Sequence, residues 1–275
     1  MSKALVNGVE IHYLAAGSGE AVVFSHGGSS DLRYWRPQLD TLSTHFRIVA
    51  YSRRFHGMSH TESDLNTAEI HVADLVELIR LLGATPVHLV GFSTPIAVGA
   101  TFAASDLVRS LTIIEPNMPW LLGAHPEDEK ALSLWRKEND RVQSEARDAP
   151  RRMAKLWFEL VNNRGPGTFE QQSPELRQMW LDNFEVPRAA PPNHPLTCTQ
   201  LTTIATPTMV VTGEHGMPYS RRIAQALAAC IPGSHLLDIP DVTHFMSYQQ
   251  PDVFNEALLR FLHRHAARRE SEDST

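Results

Sequence analysis

Short runs of β-branched and aromatic residues alternate along this chain with longer stretches in which apolar side chains recur every three or four positions. The short runs predict buried strands, and the longer spacing predicts amphipathic helices. Asn7-Gly8 parts two alternating runs, a hairpin signal, and Ala21-Val22-Val23-Phe24 follows as a strand. Asp31 can cap a helix over Tyr34 to Leu42, and Phe46 to Tyr51 is another strand. From Asn66 a helical face runs through Ile70, Leu75, Leu78, Ile79 and Leu82 and stops at Gly83, a natural end for a helix. After Pro86 a β-branched strand turns sharply over Gly91 to Pro95 into an Ala-rich helix, and Leu111 to Ile114 is one more strand. Strands alternating with helices predict an α/β fold, a parallel sheet covered on both faces.

That alternation breaks after residue 117. Between 118 and 200 no strand is predicted; Leu132, Trp135, Trp157, Phe158, Met179, Trp180 and Phe184 fall on helical patterns that end in the proline-rich Pro187 to Pro195 segment. Pro207 to Thr212 resumes the sheet, a helix covers Ser220 to Cys230, His235 to Ile239 is the last strand, and Asp252 to Arg268 is the last helix. The expected organisation is a core of residues 1–117 and 201–269, an inserted helical cap of 118–200, and a disordered tail of 270–275.

Composition narrows the function classes. At 275 residues and 42% hydrophobic content the chain has ample material for one large core. No stretch approaches the roughly 18 to 20 apolar residues of a membrane span, and the first residues carry no apolar run of the signal-peptide kind. A cytoplasmic protein is expected. Cys198 and Cys230 have neither metal nor redox spacing, so two separate structural thiols in a reducing compartment are expected, against a disulfide scaffold. A formal charge of −6 disfavours a nucleic-acid partner. The arginine pairs at 53/54, 151/152, 221/222 and 268/269 are scattered, as solvated faces or local ion pairs would be. Oligomeric state is not encoded in any pattern here.

The chemistry gathers at the turn Gly91-Phe92-Ser93-Thr94-Pro95. A serine hydroxyl is a weak nucleophile; raised on a sharp strand-to-helix turn beside a helix N-terminus, it gains access and a field favouring negative charge. The plainer role for Ser93 is helix capping. Strand, turn and helix together resemble the nucleophile elbow, G-x-S-x-G, of the α/β-hydrolase superfamily, with Pro95 in place of the last glycine. The resemblance extends to His26-Gly27-Gly28 after an early strand, and to Ser52-Arg53-Arg54-Phe55-His56-Gly57-Met58-Ser59. This loop is similar to D-x-R-G-x-G-x-S, with serine replacing the aspartate, and is read as structural. It extends also to His244 on the loop after the last strand.

The resemblance implies a mostly parallel, doubly wound sheet of about eight strands with an inserted helical cap. It implies Ser93 as nucleophile, His244 as base, and the Gly28 and Thr94 amides as an oxyanion hole. His26 is then a packed structural histidine. Most members carry the acid after the strand before the final helix pair, but Gly216 stands at that place here. Haloalkane dehalogenases and zearalenone lactonases instead take it from the end of the strand after the elbow, which corresponds to Glu115; Glu214 and Asp241 are the alternatives. The implied activity is cleavage of a carboxylic ester or lactone through an acyl-enzyme, with no metal or organic cofactor. Trp157, Met179, Trp180 and Phe245 suggest an apolar small-molecule substrate, although such residues also serve as cap core. Carbon–carbon bond hydrolysis, cofactor-independent oxygenation and ligand sensing are alternatives carried by the same triad. Proline at 95 pushes Thr94 away from the helical region and is expected to alter the oxyanion hole.

Overall fold

The computed structural model describes residues 1–63, 65–123, 125–186 and 192–267. Eight strands form one sheet: β1 (Ser2–Val6), β2 (Val9–Ala16), β3 (Ala21–Ser25), β4 (Arg47–Tyr51), β5 (Val87–Phe92), β6 (Val108–Ile114), β7 (Thr208–Gly213) and β8 (His235–Ile239). Their order is β1-β2-β4-β3-β5-β6-β7-β8. The β1–β2 hairpin is antiparallel and joins β4 antiparallel, while β4, β3 and β5 to β8 run parallel. The parallel strands are those the alternating pattern predicts, and the mostly parallel sheet of eight strands is the one the family resemblance implied. Every residue of β3, β5 and β7 is buried, which requires cover on both faces.

That cover comes from α1 (Arg36–Leu42), α2 (Ala68–Leu82), α3 (Ile96–Ala103), α8 (Pro218–Cys230) and α10 (Pro251–His265), with α1 packed on α10 and α2 on α3. Local signals set the ends of α2: Thr67 accepts a hydrogen bond from Ile70 N–H, and Gly83 takes the left-handed φ of 63° that ends the helix. Where a helix covering Tyr34 to Leu42 is expected, a 3-10 turn (Leu32–Trp35) capped by Asp31 leads into α1.

Between β6 and β7 the described residues form helices α4 (Pro126–Glu145), α5 (Pro150–Asn162), α6 (Pro174–Phe184) and α7 (Cys198–Leu201), and no strand. Trp180 Nε1 donates to Ala154 O, tying α6 to α5, and Phe158 meets the Trp180 ring edge-on at 5.2 Å. A short helix, α9 (Met246–Gln249), precedes α10. Residues 187–191 of the proline-rich segment, and the tail expected at 270–275, lie outside the described residues.

One expectation is overturned. Cys198 and Cys230 are joined in a disulfide, with Cα atoms 5.0 Å apart. They are 32 residues apart in sequence, and packing of α7 on α8 brings them together, a tertiary contact that no local spacing reports. Pairing removes the free-thiol ground for expecting a reducing compartment. Among the described residues no helix is long and apolar enough to cross a membrane.

The strand order also locates the site. The chain lays β4 on one side of β3 and β5 on the other, which makes the carboxyl ends of β3 and β5 the switch point where ligands bind in open α/β sheets.

Candidate active site

Ser93 directly follows β5 with φ of 63°, a left-handed conformation that is costly for a residue with a Cβ. Neighbouring backbone holds it there. Ser93 N–H donates to Ile114 O (2.9 Å), and Asn117 N–H donates to Ser93 O (2.7 Å), lashing the turn to the end of β6. Gly91 makes the turn sterically possible, because a Cβ there would lie 2.5 Å from Ala97 Cβ and 2.8 Å from Ile113 Cδ1. The N-cap of α3 is Pro95, with no side-chain capping bond, so Ser93 does not serve as a cap. Thr94 N–H donates to Phe92 O at 2.7 Å, closing a three-residue turn about Ser93. As the backbone stands, this amide is engaged rather than free for an oxyanion.

Glu115 follows β6, also with positive φ (48°), and is 1% exposed. Its Oε1 accepts from Thr212 Oγ1 (2.8 Å) and Gly213 N–H (2.9 Å), and its Oε2 lies 3.2 Å from His244 Nδ1. One oxygen is thus fixed by the end of β7 and the other is left to orient the imidazole. Placing the proton on Nδ1 leaves Nε2 as the basic nitrogen. The His244 ring packs 4.8 Å, centroid to centroid, from Phe92, the residue before Ser93. Among the other carboxylates considered, exposed Glu214 accepts from Asp241 N–H, and exposed Asp241 lies 3.5 Å from His215; neither meets His244. Glu214, His215 and Asp241 are also the one group among the described residues whose donor atoms converge as a metal would require, on the outer surface.

The turn after β3 lies against the elbow. A Cβ on Gly27 would sit 2.9 Å from the Phe92 ring and 3.4 Å from Ser93 Cβ. His26 is wholly buried: Arg53 N–H donates to its Nε2 (2.9 Å), so its Nδ1 carries the proton and donates to Gly27 O (2.8 Å). Burial first, then the Arg53 charge and the neighbouring His56, which disfavours a second proton beside it, push it well below the ordinary histidine range. It is a structural ring, not a base. The neighbouring Gly28 is exposed, and its N–H makes no hydrogen bond among the described residues.

Of the four aromatic and thioether residues expected to meet substrate, Phe245 (1% exposed) reaches furthest toward the site. Its ring lies 5.3 Å from His244 and 5.8 Å from Phe92, and it stacks on Phe158 of α5 at 4.9 Å. Trp180 packs on Phe245, and Met179 is buried beside it in α6. Trp157 belongs to a second group: it meets Trp135, which stacks on Tyr219, whose hydroxyl donates to Asn117 Oδ1. Sequence reasoning missed Asn117, Tyr219 and Thr212, whose roles arise only from contacts between strands far apart in the chain. Arg53 and Arg54, in the loop read as structural, are both buried, and Arg54 pairs with Asp74.

Comparison with known proteins identifies the family and the fold. The chain belongs to the alpha/beta hydrolase family, whose sequence model matches residues 22–257. Among its relatives, the (E)-2-((N-methylformamido)methylene)succinate hydrolase of Acinetobacter baylyi is 22% identical over 94% of this chain and 96% of its own length. A thermophilic esterase from Thermogutta terrifontis superposes with a TM-score of 0.74 at 23% identity, covering 96% of this chain and 99% of that one. The enol-lactonase from Burkholderia xenovorans LB400 gives 0.73 at 22% identity, covering 95% and 100%. At these identities the two structures show a shared fold.

Proposed function

We propose that this hydrolase cleaves a carboxylic ester or lactone of an apolar small molecule through an acyl-enzyme on Ser93. The observation that carries the reading is the Glu115 carboxylate on His244 Nδ1, at the same sheet edge as a serine held at positive φ. In the proposed cycle His244 Nε2 takes the Ser93 Oγ proton as Oγ attacks the carbonyl. Gly28 N–H receives the developing oxyanion, and Thr94 N–H joins it once released from Phe92 O. Protonated His244 then passes its proton to the departing alkoxide. Water, deprotonated by His244, cleaves the acyl-enzyme and returns Ser93. Glu115 stabilises the imidazolium throughout.

The segment of residues 118–200 is proposed as a cap. The aromatic contact from Trp180 and Phe158 through Phe245 to His244 gives it an apolar inner side, which favours an apolar acyl or alcohol group. Esterase and enol-lactonase activities among proteins of the same fold support the bond type. A serine rather than a carboxylate at the elbow argues against epoxide and haloalkane substrates. The test is intact mass after incubating wild type and Ser93→Ala with a serine-directed fluorophosphonate, followed by an ester and lactone screen. One adduct on wild type alone is expected; absence of an adduct on both proteins would sink the reading.

A further inference from the structure

The two arginines that open the loop after β4 are partnered differently. Arg54 grips Asp74 with Nε and Nη2, at 2.5 and 2.7 Å, so its buried charge is compensated. Arg53 is 3% exposed, and among the described residues no carboxylate lies within 4.0 Å of it. Burial draws its pKa down to about 10, which leaves it charged at neutral pH. Burial favours the neutral form of the three histidines around it. Burial, reinforced by the Arg53 charge, pushes His56 down to about 3 and His71 to about 2, and moves His26 the same way. Arg53 thus has no counter-ion among the described residues, and a buried charge without one is costly to keep.

Its hydrogen bonds indicate what it does. Arg53 Nη2 donates to Gly27 O at 2.7 Å, beside the Nδ1–H of His26 at 2.8 Å on the same oxygen, while Arg53 Nε has no partner among the described residues. Gly27 O belongs to the peptide group whose N–H is that of Gly28. In a trans peptide the carbonyl and the N–H point opposite ways, so two donors fixed on the oxygen also fix the direction of the N–H. A cationic donor polarises the amide as well, making its N–H a stronger donor on the far side. With a glycine on each side of the bond, no side chain of its own restrains this peptide plane.

We propose that Arg53 is a positioning residue of the oxyanion hole: its buried guanidinium holds and polarises the Gly27–Gly28 peptide so that Gly28 N–H meets the transition-state oxyanion. The inference rests on the proposed role of Gly28. Arg53 acts from behind the turn and touches no substrate.

The test compares wild type, Arg53→Met, Arg53→Gln and Arg53→Lys on a short-chain p-nitrophenyl ester, with melting temperatures alongside. It also measures inhibition by a trifluoromethyl ketone that forms a tetrahedral adduct. Losing a polarising charge while keeping the N–H should lower kcat by about ten- to thirty-fold, less than removal of a whole oxyanion donor, with KM little changed. Affinity for the ketone should fall by a similar factor, and Arg53→Lys, which keeps a charge, should recover most of both. Should Arg53→Met not fold, the Lys variant against the size-matched Gln variant decides, with kcat at least five-fold higher for Lys expected. Unchanged kcat and ketone affinity in the neutral variants, a loss confined to KM, or equal kcat for Lys and Gln overturns the inference. If wild type itself neither hydrolyses the ester nor takes a fluorophosphonate adduct, the acyl-enzyme reading fails and this inference falls with it.

Discussion

Glu115 is held by three donors that arrive from two different strand ends, and a substitution there can separate its charge from its shape. In Glu115→Gln, Thr212 Oγ1 and Gly213 N–H still have an oxygen to bond, but an amide NH₂ faces His244 Nδ1 and favours the wrong tautomer. The acylation rate should fall by about 10⁴, the loss seen when the triad acid of a serine protease is neutralised, with the melting temperature nearly unchanged. An acylation rate within a few-fold of wild type would remove Glu115 from the triad. Gly27→Ala tests the opposite side of the site. Its Cβ would press into the Phe92 ring at 2.9 Å, displacing the elbow or the oxyanion turn, so kcat should drop by at least ten-fold even if the variant folds. Ser93 and His244 were legible in sequence because each sits in a local motif next to a strand. The choice of Glu115 over Glu214 needed the family resemblance, since which carboxylate faces the histidine depends on the register of β6 against β7. Arg53 was legible only as part of a structural loop: its burial without a counter-ion among the described residues is a tertiary property.

At the scale of elements, the loop carrying His244 is fastened to the end of α5. Asn162 Oδ1 accepts from Thr243 Oγ1 (2.9 Å) and Gln249 Nε2 (3.3 Å), and Arg164, just beyond, donates to Asp241 O at 2.7 Å. The proposed cap thereby also braces the base. Asn162→Leu would leave the buried Thr243 hydroxyl with Gln249 Oε1, at 3.1 Å, as its acceptor, at a cost of about 1 kcal/mol. Urea unfolding should show that loss, and kcat should fall along with it, whereas an unchanged kcat would uncouple the helices from the histidine. The disulfide between α7 and α8 closes a loop of 32 residues, and chain-entropy arguments give it about 3 to 4 kcal/mol. Cys198→Ser should lower the urea midpoint accordingly, and dithiothreitol should reproduce the shift in wild type but not in the variant. Most element boundaries were readable from periodicity and capping residues. Alpha8 begins two residues earlier than the apolar pattern implied because Pro218 is well suited to a first helical turn. The disulfide was unreadable because it joins two helices whose packing only the folded chain defines.

Across the whole molecule, a buried cation ringed by neutral histidines makes stability depend on pH in one direction. The titratable and charged groups facing these rings are Arg53 for all three, with His56 and His71 added for His26, Arg54 and His56 added for His71, and Asp31 opposing for His56. Burial dominates in each case, so the folded-state pKa lies below the unfolded value of about 6.5. Between that value and the folded ones the unfolded chain binds more protons than the folded chain. Stability is therefore full above about pH 6.5 and declines as pH falls. Each ring contributes a slope of up to about 1.4 kcal/mol per pH unit, so the three together approach about 4 kcal/mol per unit near pH 5. Urea unfolding at pH 7.5, 6.5 and 5.5 should show little change across the first interval beyond the foot of the titration and a steep loss across the second. Replacing His56 by Gln should remove about one third of that slope, because the amide can still donate to Gly28 O while taking up no proton. A stability flat from pH 7.5 to 5.5 would mean that these rings are solvated or charged in the folded protein. The neutral pocket that keeps Arg53 the sole charge behind the oxyanion turn would then not exist.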